Sequence, residues 1–298
     1  MLGIAAALVL VLGLLVAGYT WHRRHHGMTA VRPQVDLSSL APAPDNIING
    51  RQITADNTGV GAWRGPGGQR CTNPRIYTGK VHTSDLGRSV GCAWFKADVV
   101  VDSPIIFTAS RFDRAVDVNG HLVRFDYDTI DTTQVEDIAL FGGPFVLNRS
   151  IVAGSTDAVR FENDLVVESY LRTKAHLNAD PPDHNDGIQA YRSAYGGSIL
   201  RSNIDGHPTN TGATNYGDAA ILFADGSLGD VDIEQNYLAG GAITLRLNEA
   251  SIYRHVTGNV IAKGSYLYNP VDTTNAAPGA FPDWAENTLS DGTPLPTP

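Results

Sequence analysis

One short pattern limits the folds open to this chain: a polar residue, any residue, then an aliphatic one, each time followed by a loop. It occurs as DTI (128–130), RSI (149–151), SYL (169–171), SNI (202–204), NYL (236–238) and NVI (259–261). Successive final residues lie 21, 20, 33, 34 and 23 positions apart. A second series, a small residue then an aliphatic one, keeps similar steps at 158–159, 187–188, 220–221 and 242–243. Two series in step are foreign to a β-sandwich, whose strands share no sequence period. Between them lie short alternating segments such as DAVRFE, LVVESYL, GIQAY and AITLRL, set off by Gly, Asn and Asp; these read as strands. Residues 46–269 show no apolar stripe of helical period. Strand-only units of about 20 residues describe a β-solenoid, each rung hydrogen-bonded to the next about 4.8 Å away. The polar position (Asp128, Ser169, Ser202, Asn236, Asn259) then recurs at one corner, where stacked side chains bond neighbouring backbone.

The ends and the charge add to this. Thirty-one glycines and few lysines in 298 residues suit a turn-rich β protein. The net charge of −9 argues against a nucleic-acid partner. Residues 2–18, LGIAAALVLVLGLLVAG, are uncharged and just long enough to span a bilayer. They also resemble a signal peptide but lack a basic leader and a clean small-x-small cleavage site. Residues 1–20 therefore read as an uncleaved transmembrane or signal-anchor segment, with a cleaved signal and a secreted protein as the alternative. Arg23 and Arg24 cut against export, because positive residues hold their side in the cytoplasm. Residues 21–46, polar and proline-rich, form a linker; residues 47–298 form the folded domain. Cys71 and Cys92 are the only cysteines. In an exported protein they are expected to pair, stabilising by about 3 kcal/mol; two buried thiols are the alternative.

The segments ADNTGV (55–60), GC (91–92) before VVVDSP, HNDGIQ (184–189) and DIEQNYLAGG (232–241) follow one another along the chain. In this the sequence resembles the secreted right-handed parallel β-helix proteins of actinobacteria and their phages, of the pectate-lyase-like fold. The resemblance covers roughly residues 56–293. It implies an all-β domain, a single-stranded right-handed parallel β-helix, with AENTLSDGTPLP as an irregular closing cap. That fold hosts polysaccharide lyases, uronan epimerases, inverting glycosidases, tailspikes and non-catalytic adhesins, so the site has to decide the function.

The two long intervals locate the site. Their extra residues, RTKAHLNADPPDHND (172–186) and DGHPTNTGATNYGD (205–218), fall between the corner triplet and the next small–aliphatic strand in consecutive rungs. Side by side, such loops wall a groove suited to an extended polymer. In that register Asp157 stacks on Asp186, followed by Ala219 and Gly241, while Arg160 precedes Gln189, Leu222 and Thr244. His184 and Asp183 reach over from the loop. His184 is the candidate base, and Arg160, Arg192 or Lys174 the group that holds a substrate carboxylate. Gln189 and Tyr191 lie on the same strand, and Tyr195 and Tyr216 offer faces for sugars. Asp157 and Asp186 could instead act as the acid and base of a glycosidase. Each residue also has a plainer use: Asp157 and Asp186 as turn-forming acids, His184 as a solvated loop residue. No cofactor is expected; clustered acids could hold calcium, but without an EF-hand spacing. The expectation is an extracytoplasmic, membrane-anchored protein that binds an extended polysaccharide and cleaves or modifies it as a lyase does. A non-catalytic glycan-binding surface protein and a glycoside hydrolase are the alternatives.

Overall fold

The computed structural model describes residues 50–65, 68–176, 184–191, 196–211, 216–225, 230–248 and 252–298. This part of the chain is all-β, with one four-residue helix, Gly59–Ala62, and two single 3-10 turns. Its strands form long parallel sheets, consistent with a parallel β-solenoid. Each rung contributes three short strands in sequence, and each strand pairs with its counterpart in the next rung. Thus Tyr170–Arg172, Asp186–Tyr191 and Gly196–Leu200 pair in parallel with Asn203–Asp205, Ala219–Asp225 and Val231–Glu234. The next rung continues with Tyr237–Ala239, Ile243–Leu247 and Tyr253–Thr257. We call these three positions the first, second and third faces. The strands Thr129–Phe141 and Ile151–Phe161 run unbroken across the first two faces and join them into one fifteen-stranded sheet, while the third face is a separate sheet of nine strands.

The corner between the third and first faces explains the triplets. Ser110, Asp128, Ser150, Ser169, Ser202, Asn236, Asn259 and Asn287 stack there, all buried. Each accepts a hydrogen bond from the backbone N–H one rung earlier: Asp128 N–H to Ser150 Oγ is 2.9 Å, Ser202 N–H to Asn236 Oδ1 is 2.9 Å, and Asn259 N–H to Asn287 Oδ1 is 3.0 Å. The aliphatic residue two positions on points into the core, where Ile130, Val152, Leu171, Ile204, Leu238 and Ile261 are fully buried. One rung departs from the expected register: Ile130 pairs with Val152, not Ile151, so Ser150 rather than Arg149 holds the ladder position. Aromatic stacks fill the rest of the core, with Phe95, Phe107, Phe112 and Phe125 at one end and Phe223, Tyr253 and Phe281 at the other. Burying each such side chain contributes about 1.5–3 kcal/mol.

Cys71 and Cys92 form a disulfide, with their Cα atoms 5.3 Å apart. It fastens the segment ahead of Arg75–Tyr77 to the first corner of the solenoid. Among the described residues no helix is long and apolar enough to cross a membrane; the anchor expected at 1–20 and the linker at 21–46 lie outside them.

Candidate functional site

Both long loops lie at the corner between the first and second faces, in consecutive rungs, and they touch. Thr209 N–H donates to Thr173 O (3.1 Å), Asn210 Oδ1 accepts from Ala175 N–H (2.9 Å), and Asp218 N–H donates to Asn185 O (2.9 Å). The first loop also folds back over earlier rungs: Lys174 N–H reaches Ser155 O at 2.7 Å, and His176 Nε2 lies 3.0 Å from Val135 O. The loops therefore wall one edge of the second face.

Register on that face brings the acids together. Val159, Arg160 and Phe161 pair with Ile188, Gln189 and Ala190; the same register two residues back sets Asp157 beside Asp186, whose N–H donates to Asp157 Oδ1 at 3.2 Å. Asp157 is 7% exposed and Asp186 fully buried. Gly187 is forced by packing, since a Cβ there would lie 2.4 Å from Ile204 Cγ2; the glycine lets the loop close tightly onto the first face and seats Asp186. Neither carboxylate oxygen of Asp186 makes a full hydrogen bond among the described residues, although the Ala219 N–H favours its ionised form. From the adjoining loop Asp218 Oδ2 meets His184 Nδ1 at 2.5 Å, with the histidine side chain 79% exposed and the aspartate 31%.

Burial dominates the electrostatics. It pushes the Asp157 carboxyl up to about 7, and nearby Asp218 adds to this, against the Asp186 N–H, Arg160 and His184, which favour the anion. Asp186 is raised well above the carboxylate range, first by burial and then by Asp157 and Asp218; the Ala219 N–H and Arg246 oppose this. Two carboxyls on adjacent strands, about 4.8 Å apart by backbone spacing, do not both ionise readily. At neutral pH the cluster thus keeps at least one proton beside an exposed His–Asp pair. Both partners of a proton exchange, a neutral carboxylic acid and an imidazole oriented by a carboxylate, are present within two rungs.

The other expected residues are placed unevenly. Arg160 and Gln189 are half-buried neighbours across the sheet, and Arg160 acts on both Asp157 and Glu162. Lys174 sits at the loop root beside Ser155. Tyr216 is in the second loop, its ring stacked on His207 with centroids 5.8 Å apart. The backbone of Tyr191 pairs with Asp225. Asp183, Arg192 and Tyr195 lie outside the described residues, as does the whole DPPD stretch (180–183). One register expectation is corrected. Ala219 meets Gly241 through an isolated antiparallel bridge, as expected, but in the parallel register that follows, Leu222 pairs with Arg246, not Thr244. Two charged residues near the cluster were not among those expected: Asp218, whose Oδ2 meets His184 Nδ1, and Arg246, which favours the ionised form of Asp186 and pairs with Asp272 at 3.4 Å. Among the described residues no group of three or more His, Cys, Asp or Glu is arranged to hold a metal ion.

Comparison with family models, with curated proteins and with solved structures finds no match for this chain.

Proposed function

We propose that this chain is an extracytoplasmic, membrane-anchored right-handed parallel β-helix of the pectate-lyase-like kind, which binds an extended polysaccharide along its second face and cleaves it. One observation carries the reading: a carboxyl that holds its proton near neutrality, Asp157, lies beside the exposed His184–Asp218 pair, with Arg160 and Arg246 on the same face. In a β-elimination His184 takes the proton next to a uronate carboxylate. Asp218 holds the imidazole in the right tautomer and stabilises the cation that forms. Asp157 returns a proton to the departing glycosidic oxygen, and the arginines offset the substrate's negative charge. Asp186 serves this scheme by holding Asp157 in place, its N–H donating to Asp157 Oδ1 at 3.2 Å. The anionic surface, the disulfide and the apolar N-terminal segment fit export with retention at the membrane.

A hydrolase would use the same acid with a different second group. Asp157 and Asp186 themselves are closer by strand spacing than the roughly 6.5–9.5 Å that an inverting glycosidase leaves for water.

The test is to incubate the full-length protein with a polysaccharide panel while following ultraviolet absorbance and reducing ends. Unsaturated product is expected, and His184→Ala should lower turnover by about 10²–10⁴ with an unchanged melting temperature. Reducing ends without absorbance would reassign the site to hydrolysis. Binding without turnover would leave a glycan-binding surface protein.

A further inference from the structure

The corner that carries the site continues past it in a defined register. Gly241 N–H donates to Tyr216 O (2.5 Å), Ala242 N–H to Gly217 O (3.0 Å) and Ile243 N–H to Asp218 O (3.2 Å). One rung further, Leu267 N–H donates to Gly241 O (3.2 Å) and Tyr268 N–H to Ala242 O (2.9 Å). The corner therefore reads, rung by rung, His184–Asn185, Tyr216–Asp218, Gly241–Ala242, Leu267–Tyr268. At about 4.8 Å per rung, Tyr268 lies roughly 10 Å beyond Asp218 and roughly 14 Å beyond His184.

The middle step is low. A Cβ on Gly241 would lie 2.7 Å from the Ala219 Cα, and the glycine has φ +92°, so no side chain can rise there; Ala242 adds a single methyl. Beyond this step stand two large apolar side chains in the open, Leu267 51% and Tyr268 69% exposed. Among the described residues the other exposed large hydrophobics are scattered singly at Ile76, Ile106, Leu122 and Ile252. An adjacent pair that includes an aromatic ring, in line with the Asp157–His184 cluster and separated from it by a flat floor, departs from the singly scattered pattern of the other exposed hydrophobics. A tyrosine ring offers an apolar face with a polar rim. A pyranose ring presents the matching arrangement of C–H faces and hydroxyl edges.

We infer that Leu267 and Tyr268 form a sugar-stacking subsite, so that the polymer runs along the solenoid axis, across the strands, from the Asp157–Asp186 cluster to Tyr268. This rests on the carbohydrate reading above but not on cleavage. It fixes the direction of the bound chain and predicts that affinity depends on chain length.

The test compares full-length wild type with Tyr268→Ala and, as the conservative control, Tyr268→Trp. Because the ring is exposed, all three should melt at the same temperature. On whichever polysaccharide the wild type turns over, Tyr268→Ala should raise KM roughly five- to tenfold with kcat within about twofold. Tyr268→Trp should behave as wild type, and a disaccharide of the same sugars, too short to reach the ring, should be handled equally by all three. An unchanged polymer KM overturns the subsite. If the wild type cleaves nothing, migration through gels containing polygalacturonate, alginate, hyaluronan or xylan replaces turnover. Retardation of wild type that is lost in Tyr268→Ala upholds the subsite while the cleavage reading fails. Equal retardation of both, or none of either, overturns the subsite.

Discussion

Asp157 and Asp186 are the two carboxyls of the candidate site on which pH acts through burial. The folded Asp157 holds its proton to about pH 7, against 3.8 for the ordinary group. Between those values the folded chain keeps a proton that the unfolded chain has released. Stability from this group is therefore greatest below pH 4, falls as pH rises to 7, and stays low above it. Asp186 is shifted in the same direction. Replacing Asp186 with Asn removes one buried ionisable group that keeps its proton in the fold and releases it in the unfolded chain. Asp186→Asn should thus be more stable than wild type at pH 8, on the order of 1–3 kcal/mol, and near wild type at pH 4. The limb of the kcat profile set by Asp157 should stay near pH 7, because that shift comes from burial and from Asp218. Thermal melts at the two pH values check the first outcome; equal shifts at both would show that packing, not charge, governs the pair. At this scale the sequence was readable where a residue recurs in phase. Asp157, Asp186 and His184 precede a small–aliphatic step and were found together. Asp218 precedes the same kind of step, but Ala219–Ala220 supplies one residue more, and the recurrence is hidden. Arg246 was lost to a slip of two residues in GGAITLRL. Side chains alternate with period 2, so a two-residue slip leaves every one on its own face and the pattern cannot reveal it.

Among the elements, the corner ladder was the most legible because it uses polar side chains at fixed spacing. Its energetics rest on burial. Asn236 accepts from Ser202 N–H at 2.9 Å and donates through Nδ2 to Ile199 O at 2.8 Å, with no exposure. Asn236→Ala leaves a donor and an acceptor unpaired in the interior, which costs about 2–4 kcal/mol. Asn236→Ser keeps an acceptor of the type used at Ser169 and Ser202, and should cost about half as much. Urea unfolding with an unchanged m-value would check the order; a serine variant as unstable as the alanine variant would show that the residue acts by volume alone. The residue before each ladder position was not legible. Tyr127, Arg149, Glu168, Arg201 and Gln235 all adopt left-handed backbone, φ +47° to +58°, a conformation normally signalled by Gly or Asn. Nothing in those side chains asks for it. The turn is imposed from both sides, by a strand ending on the third face and a ladder bond beginning the first. The side chains instead link along the corner: Arg149 bonds Tyr127 Oη (2.6 Å) and Glu168 (2.7 Å), and Arg201 bonds Glu168 (3.1 Å).

For the whole molecule, the question is how a stack of near-independent rungs behaves as one body. In a solenoid each rung touches only its neighbours, and stability is close to a sum of local terms. The segment before the first strand changes this, and its lack of periodicity kept it from being read in the sequence. Gly50 N–H donates to Gln235 O at 2.6 Å, Asn203 Nδ2 to Ile53 O at 2.8 Å, Gly59 N–H to Arg149 O at 2.8 Å and Val60 N–H to Thr129 Oγ1 at 3.2 Å. The segment therefore runs back along the outside of the third–first corner. In doing so it laces together rungs that are distant in sequence, from the one holding Gln235 to the one holding Thr129. A Cβ at Gly50 would stand 1.9 Å from Ser202 O, a backbone atom that cannot yield. Gly50→Val should therefore lift the start of the lace while leaving the rungs folded. Hydrogen exchange is the discriminating measurement. Amides in 50–60 should exchange at least tenfold faster, and those of Asn203–Asp205 and Tyr237–Ala239 should lose protection with them. Arg75–Tyr77, at the far end and held by Cys71–Cys92, should be unaffected, and turnover should stay within about twofold because the second face is not involved. If protection falls evenly over the whole solenoid, the rungs were already one cooperative unit and the segment adds nothing to their coupling. If it falls only within 50–60, the segment is attached to the stack without tying it together.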